Sequence, residues 1–361
     1  WDIQEINKQE LTENVVELMM GKIRKLPEET QGTLKLGACI GASFDLKTLS
    51  VISERPLIQV AKSLWPAVED GIILPLNEEH KLLKELHDEK RQSSQQLSQS
   101  NLTDRREQAE DRFQHDRVQQ AAYSLIPINK LKPIHLKIGQ LLLASADEET
   151  LDDKLFYIVE QLNAARELLL TDGEKVELAS LNLKACIKAK DSTAFGPAAG
   201  HAEIGIELLG NDAWNNHYAL AFELSKLCAE SLFLTGNIEA SDLKIRLMLK
   251  QVTNDLDKSD VYQLQMVQLS NQGNYAEVFD SGINALALFG ISFPDLASPK
   301  ALKKEFEAEY KLFQKQMEGK EIKDLINLPV MSNAEQQACT EIMAIMIDPA
   351  FFANPDFLSL L

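Results

Sequence analysis

The chain lacks the sequence features by which most nucleotide-binding enzymes and membrane proteins are recognised. Neither Gly21-Lys22 nor Gly319-Lys320 is followed by Ser or Thr, and neither is preceded by a glycine five residues earlier. A loop of that composition holds nucleotide phosphates, so no P-loop is predicted. The Asp-Phe-Gly and His-Arg-Asp sequences of protein kinases are also missing. No run of about 18 apolar residues occurs, so the sequence predicts no membrane span.

Basic residues and aromatic residues are both scarce. Lys and Arg number 37 against 55 Asp and Glu, which gives a net charge of −18. Because nucleic-acid phosphates require clustered basic side chains, the balance argues against a nucleic-acid partner. Aromatic residues make up 6% of the chain, with 16 Gly and 12 Pro, a composition that favours helices. With 361 residues, 45% of them hydrophobic, the chain is long enough for two or three packed units.

Cysteine is rare and its pattern is not that of a metal site. The four cysteines are far apart, each lies in an apolar context, and no Cys-x-x-Cys exists: Cys39, Cys186, Cys228 and Cys339. We expect buried thiols in a reducing cytoplasm rather than disulfides or metal ligands. His80 and His87 lie seven residues apart on a polar segment without the carboxylate–histidine spacing of a zinc site. No metal or cofactor is therefore predicted for this chain.

Both ends of the sequence have the character of internal segments. The chain opens with Trp1-Asp2-Ile3, without methionine and without a charged and apolar leader. It ends within an apolar stretch, residues 357–361. We expect a piece of a longer protein.

A strand that runs directly into a helix is the most specific local pattern. Residues 112–127 read RFQHDRVQQAAYSLIP, with an alternating start at Arg112–His115. The helix that follows carries its apolar residues at i, i+3, i+4 and i+7: Val118, Ala121, Ala122 and Leu125. Pro127 then ends the helix.

The residues before this joint predict three or four helices and then a strand. The predicted helices are Asn14–Leu26, Glu28–Cys39, a segment capped by Asp45 that runs through Ile52, and Pro56–Glu69, and the strand is Ile72–Leu76. That order predicts a winged-helix domain over residues 1–128. A polar insertion at 77–111 departs from an ordinary wing by its length, and Ser93–Arg106 within it is predicted to be mobile and dispensable. A docking or modification loop is the alternative for this insertion.

Helical repeats are predicted over residues 129–292. Gly236 and Gly273, 37 residues apart, each lie in a short turn between two apolar-periodic helices. A similar turn occurs at Asp191–Thr193, 44 residues before the turn that begins at Thr235. This period is typical of tetratricopeptide-like helix pairs, which stack into a curved solenoid because one pair cannot bury its apolar face alone. Residues 293–361 predict further helices, among them Lys300–Met317 and Ala334–Ile347.

The joint and the repeats together resemble one protein family. The pattern F-x-H-D-R-V-x-Q-A-A-Y-S-L-I-P resembles the segment that closes the winged helix of STAND-type predicted ATPases, found in large bacterial proteins resembling hybrid serine/threonine kinase–sensor histidine kinases. The stretches LKLGACIGASFDLKTLSVIS and Gly205–Asn237 resemble the same family, and the resemblance covers most of residues 12–290. It implies a mainly α protein, a winged-helix domain followed by a tetratricopeptide-like α-solenoid.

The resemblance also implies a function and two site residues. The chain would be a non-catalytic regulatory segment of a large signal-transduction ATPase–kinase, with no catalytic residue of its own and ATP or ADP bound by the parent. His115, beside Arg117 and a helix N-terminus, would contact the nucleotide phosphates of an upstream nucleotide-binding module. The helical repeats would bind a protein or a small-molecule inducer. Alternatively, His115 only completes the strand edge.

Two other functions stay open on the sequence alone. The chain could be a stand-alone tetratricopeptide scaffold for protein partners, with no nucleotide involved. A transcription factor that places the winged helix on DNA is opposed by the acidic balance, since the segment Asp45–Ile52 offers only Lys47 as a basic residue. A cytoplasmic protein without nucleic acid or membrane span is therefore the prediction.

Overall fold

The computed structural model describes residues 15–76, 110–319 and 321–361. Over these residues the chain is mainly helical, with three short strands. It divides into two compact units between Leu181 and Asn182. The domain boundaries predicted from the sequence, at residues 128 and 292, stay predictions. No helix of the described residues is long and apolar enough to cross a membrane.

The helices of the first unit begin close to where the sequence predicts them. Helix α1 includes residues 15–23. The next helices are α2 (Glu28–Ile40), α3 (Leu46–Ser53), α4 (Leu57–Glu69), α5 (Asp116–Ser124), α6 (Ile128–Ser145) and α7 (Glu148–Ala164), followed by a 3-10 turn at Arg166–Leu168. The predicted cap at Asp45 is confirmed, because its Oδ1 accepts the Thr48 amide at 2.6 Å.

The three strands form one small antiparallel sheet. They are β1 (Ser43–Asp45), β2 (Ile73–Pro75) and β3 (Glu110–Phe113), and β3 lies in the middle, in the order β1-β3-β2. The predicted insertion falls mostly on residues 77–109, outside the described residues. Its predicted end at Asp111 is wrong, because Asp111 already pairs with Phe44 on β1 and with Pro75 on β2.

A buried aromatic pair joins the sheet to the helices of the first unit. The rings of Phe44 and Phe113 meet edge to face at 5.5 Å, and both side chains are buried. Gly37 on α2 leaves room for this pair, since a Cβ there would lie 3.0 Å from the Phe44 ring. The joint after β3 is therefore anchored on a packed core.

The second unit consists of helices described from α8 (Asp172–Asp191), the helix in which the boundary between the units falls. The others are α9 (Phe195–Leu209), α10 (Ala213–Asn216), α11 (Tyr218–Leu234), α12 (Ile238–Gln251), α13 (Asp255–Asn271), α14 (Tyr275–Ala287), α15 (Pro299–Gln316), α16 (Ala334–Ala353) and α17 (Pro355–Leu358), with a 3-10 helix at Ile322–Asn327. Helix α11 packs on α9 and α12, α13 packs on α14, and α16 packs on both α13 and α14.

One helix of the second unit is longer than predicted. The sequence predicts that the last apolar helix ends at Ile347, whereas α16 continues through Pro349 to Ala353. Proline removes one hydrogen bond from a helix interior. Pro349 and Ala350 are both buried, and Ala350 belongs to the core that α16 shares with α13 and α14, so packing holds the helix across that break.

The recurring turn of the second unit is a repeated backbone geometry. In each of three turns an amide donates to the carbonyl five residues earlier, in the pairs Asn237–Leu232 at 2.9 Å, Asn274–Leu269 at 3.0 Å and Ala194–Ala189 at 2.8 Å. The residue before that amide is left-handed in all three, with φ of +83° at Gly236, +75° at Gly273 and +59° at Thr193. Thr193 therefore corresponds to Gly236, and the predicted alignment of Asp191 with Thr235 is wrong by one residue.

Exchange of the residue at two of these turns is expected to change stability in opposite directions. Gly236→Thr places a β-branched residue at a left-handed position and should lower the free energy of unfolding by about 1–2 kcal/mol. Thr193→Gly removes that strain and should raise it by up to about 1 kcal/mol, since the flexible unfolded chain offsets part of the gain. Urea unfolding of both variants tests this, and a shift in the same direction for both would contradict it.

Candidate functional site: the joint between β3 and α5

The site begins where the central strand ends. The Phe113 amide donates to the Ala42 carbonyl at 2.9 Å, and the Gln114 amide donates to the Ile72 carbonyl at 3.0 Å. Backbone hydrogen bonds therefore hold the chain on both sides up to Gln114. The predicted strand Arg112–His115 is wrong at both ends, because β3 begins at Glu110 and ends at Phe113. Helix α5 starts two residues after Gln114, at Asp116.

His115 caps helix α5 and does not pair along the strand edge. Its Nδ1 accepts the backbone amide of Arg117 at 3.2 Å, and the side chain is exposed. An atom that accepts a hydrogen bond carries no proton, so the neutral ring in this arrangement is protonated at Nε2. The joint therefore presents one imidazole N–H donor at an exposed helix N-terminus.

Arg117 is the second residue of α5 and is half-buried. Its Nη1 donates to Oε1 of Gln120 at 2.7 Å, which holds the guanidinium along the helix. Asp116, between the two predicted site residues, is exposed and brings a negative charge to the first turn. The joint thus offers N–H donors, a guanidinium and one carboxylate, a set suited to contact with an anion rather than to covalent catalysis.

A buried carboxyl near the joint was missed by the sequence reasoning. Asp111 is fully buried. It lies two residues before Phe113 and therefore on the same face of β3. Burial raises the pKa of the Asp111 carboxyl to about 7. The alternation of residues along β3 indicates that Asp111 faces the core, but the predicted insertion at 77–111 places Asp111 outside the strand.

A second feature missed in sequence is a chain of buried hydrogen bonds behind α5, here called the His135 network. Tyr123 Oη lies 3.0 Å from Nε2 of His135, and Nδ1 of His135 lies 2.7 Å from Oε1 of Gln161. Nε2 of Gln161 then donates to the Cys39 carbonyl at 3.0 Å. Since the Gln161 oxygen can only accept, His135 donates from Nδ1 and accepts the Tyr123 hydroxyl proton at Nε2. The network ties α5, α6 and α7 to the end of α2.

Ion pairs also connect three helices of the second unit. Lys190 pairs with Glu230 at 2.7 Å, and Lys226 pairs with Asp260 at 2.7 Å, which links α8 to α11 and α11 to α13. These four side chains are partly exposed, so each ion pair contributes little to stability.

The cysteines and histidines provide no metal site in the part of the chain that is described. All four cysteines are free and buried, as the sequence predicts. Burial raises the pKa of Cys39 to about 12 and that of Cys186 and Cys228 to about 11, which keeps these thiols protonated. No group of three His, Cys, Asp or Glu that could hold a metal occurs among the described residues, and His80 and His87 lie outside them.

Comparison with known proteins links the chain to a signalling protein. It is 26% identical over 415 aligned residues to the "Hybrid signal transduction histidine kinase G" of Dictyostelium discoideum, and the alignment takes in 100% of the chain. The chain spans 12% of that protein's length. No family model matches the chain, and no solved structure matches it at a significant level. The distant likeness supports a signalling-related role.

Proposed function

We propose that this chain is a non-catalytic regulatory segment of a large signal-transduction kinase. The observation that carries the proposal is the likeness along the whole chain to a small part of a hybrid histidine kinase. The P-loop and kinase sequences are missing from this segment, so the catalytic parts would lie elsewhere in the parent. The segment would couple an input to that kinase by favouring one of two arrangements of the parent.

The first unit is proposed to contain a winged-helix domain. The order α2, β1, α3, α4, β2 and β3 supports this, as does the placement of β3 between the other two strands. The acidic net charge of −18 makes a DNA-binding role unfavourable. The domain would instead contact an upstream nucleotide-binding module of the parent.

The exposed imidazole of His115 is proposed as the group that reaches the nucleotide. Its cap on Arg117 directs the second nitrogen, Nε2, away from the helix as a donor. A phosphate at that position would accept from Nε2 and lie near the guanidinium of Arg117. The parent would then hold ATP or ADP in part through this segment.

Residues 129–292, most of which lie in the second unit, are proposed to form a tetratricopeptide-like solenoid that binds an inducer or a protein partner. The three equivalent turns and the pairwise packing of α11 on α12 and α13 on α14 support this. The same observations favour the alternative, a repeat scaffold for protein partners without nucleotide. The role of His115 separates the two functions.

The test measures ADP affinity of the full-length parent with three forms of His115. His115→Ala removes both the imidazole and the cap, whereas His115→Asn keeps an N-cap oxygen and removes only the imidazole. Both variants are expected to weaken ADP binding by about tenfold, as expected for loss of a charge-assisted hydrogen bond. Gln114→Ala, at the exposed neighbour, is the control and should bind as the wild type does.

The outcomes distinguish the two functions. Equal ADP affinity for the wild type and His115→Asn would leave only the capping role and would favour the scaffold. The purified chain alone is expected neither to hydrolyse ATP nor to transfer phosphate, and turnover above a mock-purified control would contradict the regulatory assignment.

A further inference from the structure

Helix α15 exposes an apolar stripe along its surface. Leu302 is the one buried residue of the helix, Ala301 is half-buried, and residues 303–316 are exposed. Phe306, Tyr310 and Phe313 follow at i, i+4 and i+7, with exposed fractions of 38%, 49% and 46%. A helix with such a stripe normally packs it against another element.

Helix α16 exposes a second row of side chains, which is longer than the stripe of α15. Its buried side packs on α13 and α14, while Thr340, Ala344, Ile347 and Phe351 line the opposite, solvent-facing side. Ile347 is 43% exposed and Phe351 is 63% exposed. The spacing of 3 to 4 residues makes these four side chains one continuous row along the helix.

The two helices carry opposite charges. Helix α15 has five lysines and three glutamates, whereas α16 has three acidic residues and no Lys or Arg. On the clockwise side of the α15 stripe, viewed from the N-terminus, Lys303 flanks the aromatic row directly, and Glu307 and then Lys311 follow further round the helix. Glu341 and Asp348 lie on the clockwise side of the α16 stripe, at about 100° per residue. The clockwise sides of two packed helices lie next to each other only when the helices run antiparallel. The lysines of α15 and the acidic residues of α16 therefore select the antiparallel orientation.

One antiparallel register satisfies the stripes and the charges together. When Tyr310 is placed opposite Ala344, Phe306 comes opposite Ile347 and Phe313 comes opposite Thr340. The same register brings Lys303, which flanks the row, level with Asp348 to within about two residues, and it brings Lys311, further round the helix, level with Glu341 to within about one residue. The register that aligns the two rows therefore also places lysines on the side where α16 carries its acidic residues.

We propose that α15 of one copy of this chain docks antiparallel on α16 of a second copy, and that the two copies exchange this contact reciprocally. Such an interface is isologous, since the same two surfaces are buried on both copies. Its centre is the aromatic row of α15, and its rim holds the lysine–acid pairs, which set orientation more than affinity.

Sedimentation of the wild-type chain over a range of concentrations tests the proposal, with a concentration-dependent dimer expected. Glu341→Lys with Asp348→Lys should weaken the dimer by about tenfold or more, because like charges then meet. Lys303→Glu with Lys311→Glu should do the same. An equimolar mixture of these two variants should dimerise as the wild type does, since each contact again pairs opposite charges.

A matched control reverses two exposed charges elsewhere in the second unit. Lys250→Glu with Glu277→Lys should leave the dimer unchanged. A chain that stays monomeric at every concentration would overturn the proposal, as would a dimer that both reversed variants form as well as the wild type. Failure of the two variants to restore each other would likewise overturn the assignment of α15 to α16.

Discussion

Replacement of Gln161 by leucine is expected to lower the free energy of unfolding of the first unit by about 2–4 kcal/mol. The change leaves two buried groups unpaired, the Nδ1–H of His135 and the carbonyl of Cys39. Each buried group that loses its partner costs about 1–3 kcal/mol. His135 is 9% exposed and Gln161 is 3% exposed, so water cannot easily replace the lost contacts.

Hydrogen exchange of the α6 and α7 amides measures this effect within the first unit. Glu160→Leu is the control, because Glu160 is the exposed neighbour on the same helix. It should change stability by less than about 0.5 kcal/mol, the range usual for surface positions. An equal loss for both variants would mean that leucine on α7, rather than the His135 network, is responsible.

The hydroxyl of Tyr123 is the other end of the His135 network. Burial, followed by the nearby Cys39 thiol, raises the pKa of Tyr123 above its ordinary range. Gln161 fixes which nitrogen of His135 carries the proton, and this leaves Nε2 as an acceptor for the Tyr123 hydroxyl. All three hydrogen bonds of the network therefore run in one direction, from the Tyr123 donor to the Cys39 carbonyl acceptor.

Local sequence signals predicted the elements that depend on neighbouring residues. Asp45 as a cap and the helices at Glu28 and Leu57 follow from capping and apolar periodicity within one or two turns. Turn geometry at Gly236 and Gly273 was also readable, because glycine marks left-handed positions. Thr193 adopts the same geometry without glycine, so its exact alignment could not be read from residue type.

The features that sequence did not predict depend on distant residues. The bond from Gln161 to Cys39 spans 122 residues, and no local pattern indicates that a glutamine on α7 meets the end of α2. Asp111 is buried only because β3 lies between two strands that are distant in sequence. The predicted nucleotide contact of His115 and Arg117 depends on a module beyond this chain, and it stays a prediction.

Gly139→Ala is expected to destabilise the first unit by about 1–3 kcal/mol, despite the higher helix propensity of alanine. A Cβ at Gly139 would lie 2.5 Å from Cδ2 and 2.6 Å from Cγ of Leu162, and 3.3 Å from the Leu162 backbone nitrogen. The Leu162 side chain has to shift, and because its backbone nitrogen is also close, α7 is expected to move slightly away from α6. Gly200→Ala is the control, since a Cβ there meets nothing within 4 Å, and it should be neutral or stabilising by up to about 1 kcal/mol.

The position of Gly139 also predicts coupling to the His135 network. His135 lies one turn before Gly139 on α6, and Gln161 directly precedes Leu162 on α7. Displacement of α7 by the new methyl group should lengthen the 2.7 Å bond between His135 and Gln161. The double variant Gly139→Ala with Gln161→Leu should therefore lose less stability than the sum of the two single losses, by about 0.5 kcal/mol or more. Strictly additive losses would show that the close approach of α6 and α7 and the hydrogen-bond network stabilise the first unit independently.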